Sequence, residues 1–147
     1  MDAEADELNS AIIRLARRHR YRAGQLLGRH GLHPGQEAIL CILAEQGEQS
    51  QAKLAALLEV EPPTVHRSLI SLQRAGFVQR QPSPSDGRIT LVSLTGSGRR
   101  AETQVAAAWA QLGRETVSGF SDRDRRALLR LLDRAGANLN DPEARDC

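Results

Sequence analysis

Thr64, His66 and Arg67 lie within four positions of one another just after two prolines, and Arg88 follows Asp86 across a single glycine. These residue types recognise surfaces; they do not form a reacting set. An arginine can fork onto the O6 and N7 of guanine, and histidine or threonine can bond base edges or phosphates. Ser68, Ser71 and Arg74 extend the same polar series. An arginine at a hairpin tip can enter a narrow A·T-rich minor groove, where negative potential is concentrated. Asp86 would hold that guanidinium, or the turn, in place. The plainer alternatives are an Asp-Gly hairpin turn for residues 86–87 and an idle exposed ring for His66.

Reacting constellations are missing from the chain. It contains no G-x-S-x-G, no H-E-x-x-H, no C-x-x-C and no glycine-rich phosphate loop. No catalytic residue is therefore nominated, and an enzyme is not expected. His30 and His33 have a metal-like spacing but no acidic or cysteine partner nearby in sequence, so neither a metal nor another cofactor is expected. Cys41 sits among apolar residues and reads as an inert core thiol. Cys147 falls on a polar tail, NLNDPEARDC, which is expected to fray.

The recognising residues need elements to carry them. Ser50 is a plausible N-cap for the helix QAKLAALLEV, whose Leu54, Leu57 and Leu58 suit an inward face. Pro62 and Pro63 break that helix and suit the first turn of the next, where missing N–H groups are not needed. In this second helix Val65, Leu69 and Leu72 point inward and Thr64, His66, Arg67, Ser68 and Ser71 outward, until Gly76 stops it. Two extended runs follow, FVQRQ and RITLVSL, joined by the turn-rich PSPSDG. In the second run Ile89, Leu91 and Ser93 alternate with Thr90, Val92 and Leu94. Two helices in a tight corner followed by a hairpin describe a winged helix-turn-helix, whose second helix suits the DNA major groove.

At this point the residues resemble a known family. The run from Leu32 to Gly98 is similar to the MarR (multiple antibiotic resistance regulator) family of transcriptional regulators. The matching pieces are L-A-x-L-L-x-V (Leu54 to Val60), T-V-x-R-x-L-x-x-L (Thr64 to Leu72), A-G-F-V-x-R (Ala75 to Arg80), S-D-G-R (Ser85 to Arg88) and L-T-x-x-G (Leu94 to Gly98). The resemblance implies one domain over residues 1–147, with a DNA-binding lobe at 32–98 and dimerisation helices at 5–30 and 96–137. It implies DNA contact by Arg88; Arg80, on the strand, is expected to brace the wing or meet phosphate. His66 replaces a hydroxyl residue frequent in the family, and Ser71 a basic one. A winged-helix module for protein–protein contact or dimerisation, without a specific operator, is the competing reading.

Outside that lobe the pattern is helical throughout. Residues 5–29 place Leu8, Ile12, Leu15, His19, Ala23, Leu26 and Leu27 at three-to-four spacing, with arginines on the remaining faces. A second helix is expected from Pro34 to Glu45. A helix of about 22 residues capped by Thr95, with Val105, Ala108, Trp109 and Leu112 inward, follows the hairpin. Ser121 and Asp124 resemble a capping box for a last helix containing Leu128, Leu129, Leu131 and Leu132. The result is mainly α with a small β-hairpin wing, six helices in all. A second subunit is expected to cover the apolar stripes of the terminal helices, giving a homodimer on a palindromic double-stranded site. If the family fold holds, His19, Arg22 and Trp109 meet where a small aromatic acid could act as effector.

Bulk properties agree with this reading. The net charge of +2 conceals a bias: residues 50–100 carry seven bases against three acids, and residues 11–30 carry six arginines and no acid. Aromatic residues make up 3%, so the core must be built from leucine, isoleucine, valine and alanine. No apolar run approaches the roughly 20 residues of a membrane helix, and MDAEADELN lacks the features of a signal peptide. No membrane association and a cytoplasmic location are expected.

Overall fold

The computed structural model describes residues 3–139, so the tail from residue 140 onward and Cys147 lie outside the described residues. The chain forms two compact units, Met1–Leu112 and Gly113–Cys147. The elements of the first are α1 (Ala3–Gly28), α2 (Gln36–Gln46), β1 (Gln49–Ser50), α3 (Gln51–Leu57), α4 (Pro62–Arg74), β2 (Val78–Pro82) and β3 (Thr90–Leu94). It also takes in most of α5 (Gly96–Thr116), and the second unit carries α6 (Asp122–Leu139). The six expected helices are all present among the described residues. Most of those bounds agree with expectation to within a residue or two; the left-handed Gly35 (φ 98°) delays α2 to Gln36, and α3 ends at Leu57, three residues short of the expected Val60.

The core of the first unit is aliphatic, as the composition requires. Leu26, Leu27, Leu32, Ile39, Leu40, Leu54, Val65, Leu69, Leu72, Val78, Val92 and Val105 are fully enclosed. Each such leucine is worth about 1.5–3 kcal/mol relative to exposure. Leu57 departs from expectation: it is 38% exposed, and Ala55 is buried in its place. At 100° per residue, Leu54, Ala55 and Leu58 share one arc of this short helix, and Leu57 falls outside it.

The sheet has one more strand than the hairpin expected from sequence. Gln49 and Ser50 pair with Val92 and Leu91, giving the antiparallel order β1-β3-β2. A two-residue strand is too short to show alternation. Ser50 both ends that strand and caps α3, its Oγ accepting the Lys53 N–H at 3.1 Å. In β2 and β3 the pairing runs from Val78–Leu94 to Pro82–Thr90, so Ile89 precedes the strand and is exposed. Val92 is the fully buried residue of β3.

Caps at the remaining ends follow the expected chemistry. α4 closes with Gly76 left-handed (φ 78°) and the Phe77 N–H bonded back to Leu72 O at 3.0 Å. Thr95 opens α5, its Oγ1 accepting from the Gly98 N–H (3.0 Å) and donating to Gly76 O (2.5 Å). In the second unit Ser121 Oγ accepts the Asp124 N–H at 3.2 Å and donates to the Asp124 carboxylate at 2.7 Å. No residue of α6 is buried, and Leu129, Leu131, Leu132 and Leu139 stand exposed. The same is true of Leu8, Ile12 and Leu15 on α1, whereas Ala23, Leu26 and Leu27 of that helix are buried.

Candidate nucleic-acid interface

α4 is fixed from beneath and open above. Val65, Leu69 and Leu72 are enclosed in the core, which sets the helix's rotation and turns Thr64, His66, Arg67 and Arg74 to solvent. Ser68 and Ser71 lie at the edge of that face, half-buried. Pro62 and Pro63 occupy the first turn, behind Glu61 at the N-cap. Thr64 and Arg67 make no side-chain hydrogen bond or ion pair among the described residues. His66 differs: its Nδ1 lies 3.4 Å from the Gln51 Nε2 of α3. The sequence reading missed Gln51, since a contact across 15 positions leaves no local signature.

The wing tip is built on Asp86. Its Oδ1 accepts the Arg88 backbone N–H at 3.0 Å and Arg88 Nε at 3.1 Å, while Oδ2 accepts Arg88 Nη2 at 3.2 Å. Hydrogen bonds from the Arg88 side chain, then from its backbone N–H, hold the Asp86 carboxyl below its usual pKa. The pair therefore stays ionic, and the guanidinium remains 91% exposed at the hairpin tip. Gly87 is not in the left-handed region, so the plain two-residue Asp-Gly turn does not form. The carboxylate replaces it, in the manner of an Asx turn.

Arg80 braces the wing. Its Nε donates to Gln73 Oε1 near the end of α4 at 2.7 Å, tying strand to helix. A cleft of about 280 Å³ opens between the head of α4, the start of α3 and the wing, lined by Ser50, Gln51, Ala52, Pro62, Arg88, Ile89 and Thr90. This positive, hydrogen-bonding face can meet a duplex in two places at once, one helix and one hairpin tip.

The residues nominated for an effector are less unified. His19 and Trp109 do meet, with ring centroids 6.3 Å apart and planes tilted by 33°. Arg22 is engaged on its own helix, its Nη1 donating to Gln25 at 3.0 Å. A groove of about 530 Å³ lies elsewhere, lined by Arg17, Arg20, Tyr21, Gly24, Gln25 and Pro34. Cys41 is half-buried against the core, and burial, with lesser help from Glu102, Glu45 and Glu37, pushes its pKa up. It is held as the thiol, an unreactive form. Among the described residues no three His, Cys, Asp or Glu side chains come together as a metal site, and no helix is long and apolar enough to cross a membrane.

Comparison with known proteins gives a consistent neighbourhood. The sequence profile of the MarR family matches residues 32–90. An uncharacterised HTH-type transcriptional regulator of Mycobacterium leprae is 39% identical over 94 residues, 64% of this chain. The match spans 63% of that relative's length. YdgJ, an uncharacterised HTH-type transcriptional regulator of Bacillus subtilis, is 32% identical over 114 residues, 78% of this chain and 70% of its own. Among solved structures, a mutant MarR from E. coli complexed with operator DNA matches with a TM-score of 0.79 at 24% identity. That match covers 90% of this chain and 95% of the other, a likeness of fold.

Proposed function

The chain belongs to the MarR family, and from that premise we propose that it is a sequence-specific, double-stranded-DNA-binding transcriptional regulator. The observation that carries this is the pairing of an outward α4 head, Thr64, His66 and Arg67, with an arginine held at the wing tip by Asp86. In this reading residues 32–98 form the DNA-binding lobe, and residues 5–30 and 96–137 join two copies. α4 lies in the major groove, Arg67 forks onto guanine, and Arg88 enters the flanking minor groove. Ser68, Ser71 and Arg74 meet the backbone. The E. coli MarR that shares this fold was crystallised with operator DNA, which supports a DNA-binding reading.

Arg67→Ala is expected to cost about 1–3 kcal/mol of binding and to relax preference at one base position in each half-site. Arg88→Ala should weaken binding most where the flanks are A·T-rich. Titrations of parent and variants against operators with matched and altered flanks check both. Parent-like binding by both variants would remove these residues from the interface.

As to regulation, the protein is a repressor released by a small anionic aromatic ligand. Support comes from the His19–Trp109 ring pair, which suits an aromatic ring, and from Arg22, three residues beyond His19 on the same helix, which could turn from Gln25 to a carboxylate. A ligand that prefers one spacing of the two DNA-binding lobes needs a coupling of only about 1–3 kcal/mol. Salicylate should quench or shift Trp109 fluorescence and release DNA in parallel. No change in either signal at millimolar acid would exclude an effector of this class.

A further inference from the structure

The side chains at the head of α4 are not equally prepared to read a base. Thr64 and Arg67 have no side-chain partner among the described residues, whereas His66 is met by a neighbouring helix. Gln51 is the first residue of α3, and the Ser50 cap on the Lys53 N–H fixes the backbone there. Its carboxamide Nε2 stands 3.4 Å from His66 Nδ1. Gln51 also lines the cleft shared by Pro62 and Arg88, which places it between the head of α4 and the wing.

An amide N–H needs a lone pair to bond, so with Gln51 as the donor the imidazole proton sits on Nε2. With Nδ1 occupied, His66 has one group left to offer: an N–H donor facing away from α3. Its ring is oriented before DNA arrives, so less side-chain freedom is lost on binding. A donor is opposed by the N4 amino group of cytosine, can bond the single acceptor of adenine (N7) or thymine (O4), and is matched best by guanine, which shows two acceptors, N7 and O6. We propose that Gln51 is a positioning residue for sequence readout, holding His66 as an Nε2–H donor so that each half-site prefers guanine at one position. This rests on the DNA-binding reading and adds to it a base preference and the residue that sets it.

The test is selection from a random duplex pool by the parent protein, His66→Ala and Gln51→Leu, followed by sequencing of the bound fraction. The parent should favour guanine over cytosine at the position read by His66, by roughly tenfold for one well-placed contact. His66→Ala should lose that preference at that position alone. Gln51→Leu should reduce it several-fold at the same position, with the other positions, the salt dependence and the unfolding temperature unchanged. Parent-like preference in Gln51→Leu would overturn the proposal while leaving the DNA-binding reading intact. A loss spread evenly over all positions would also overturn it, since it would make Gln51 a backbone contact. A parent that enriches no sequence would overturn both.

Discussion

Gly98→Ala should lower stability by about 3 kcal/mol, at the upper end of what overpacking a tight site costs. A Cβ at this position would lie 2.0 Å from the carbonyl oxygen of Phe77 and 3.0 Å from Leu94 Cδ2. The obstacle is backbone and cannot rotate away. That carbonyl is already fixed, because it accepts the Thr95 N–H at 3.0 Å. Thr95 itself bonds both Gly76 O and the Gly98 N–H, so the end of α4, the start of β2 and the start of α5 meet at one point. The alanine must pry that junction apart. Gly96 is the control: a Cβ there meets only the mobile end of Arg100, at 3.8 Å. Thermal unfolding at matched concentration should show Gly98→Ala melting roughly 10 °C lower and Gly96→Ala within a few degrees of the parent. Equal melting of the two variants would refute the junction.

Leu131→Asp should leave no stable folded protein. In a lone chain this substitution would be nearly neutral, within about 0.5 kcal/mol, because Leu131 is 53% exposed and α6 buries nothing. The expectation of a large effect therefore belongs to the dimer. Leu128, half-buried, shares one face with the exposed Leu131, Leu132 and Leu139, and Leu8, Ile12 and Leu15 of α1 are likewise exposed. A second copy that covers such faces makes folding and association one process, and the melting temperature then rises with protein concentration. Sedimentation and concentration-dependent melting of the parent, beside unfolded or aggregated Leu131→Asp, would fit. A parent that stays a well-folded monomer at micromolar concentration would contradict the dimer.

What could be read from sequence divides by range. α4 was legible because its signals are local: two prolines, a Val65–Leu69–Leu72 stripe and Gly76. The Asp86–Arg88 pair was legible for the same reason, two positions apart. Gly98 was visible only as part of a family motif, since its reason is a carbonyl 21 positions earlier. β1, at two residues, is too short to show alternation. Leu57 misled because a seven-residue helix allows two plausible apolar arcs, and only packing chose Ala55. Arg22 and the open groove separate for a similar reason. Arg17 and Arg20 differ from Arg22 mainly in the face of α1 they occupy, and a helix ringed with arginine does not mark its faces.

The most direct measurement is a footprint of the parent protein on the DNA around its own gene, since regulators of this family often control themselves. A protected palindrome is expected, its half-sites centred about one helical turn, roughly 10 base pairs, apart. Protection should be lost when Arg67 and Arg88 are both replaced by alanine. No protected site there or in genomic fragments, under conditions where the protein is folded and dimeric, would contradict the account and leave the winged fold a protein-contact module.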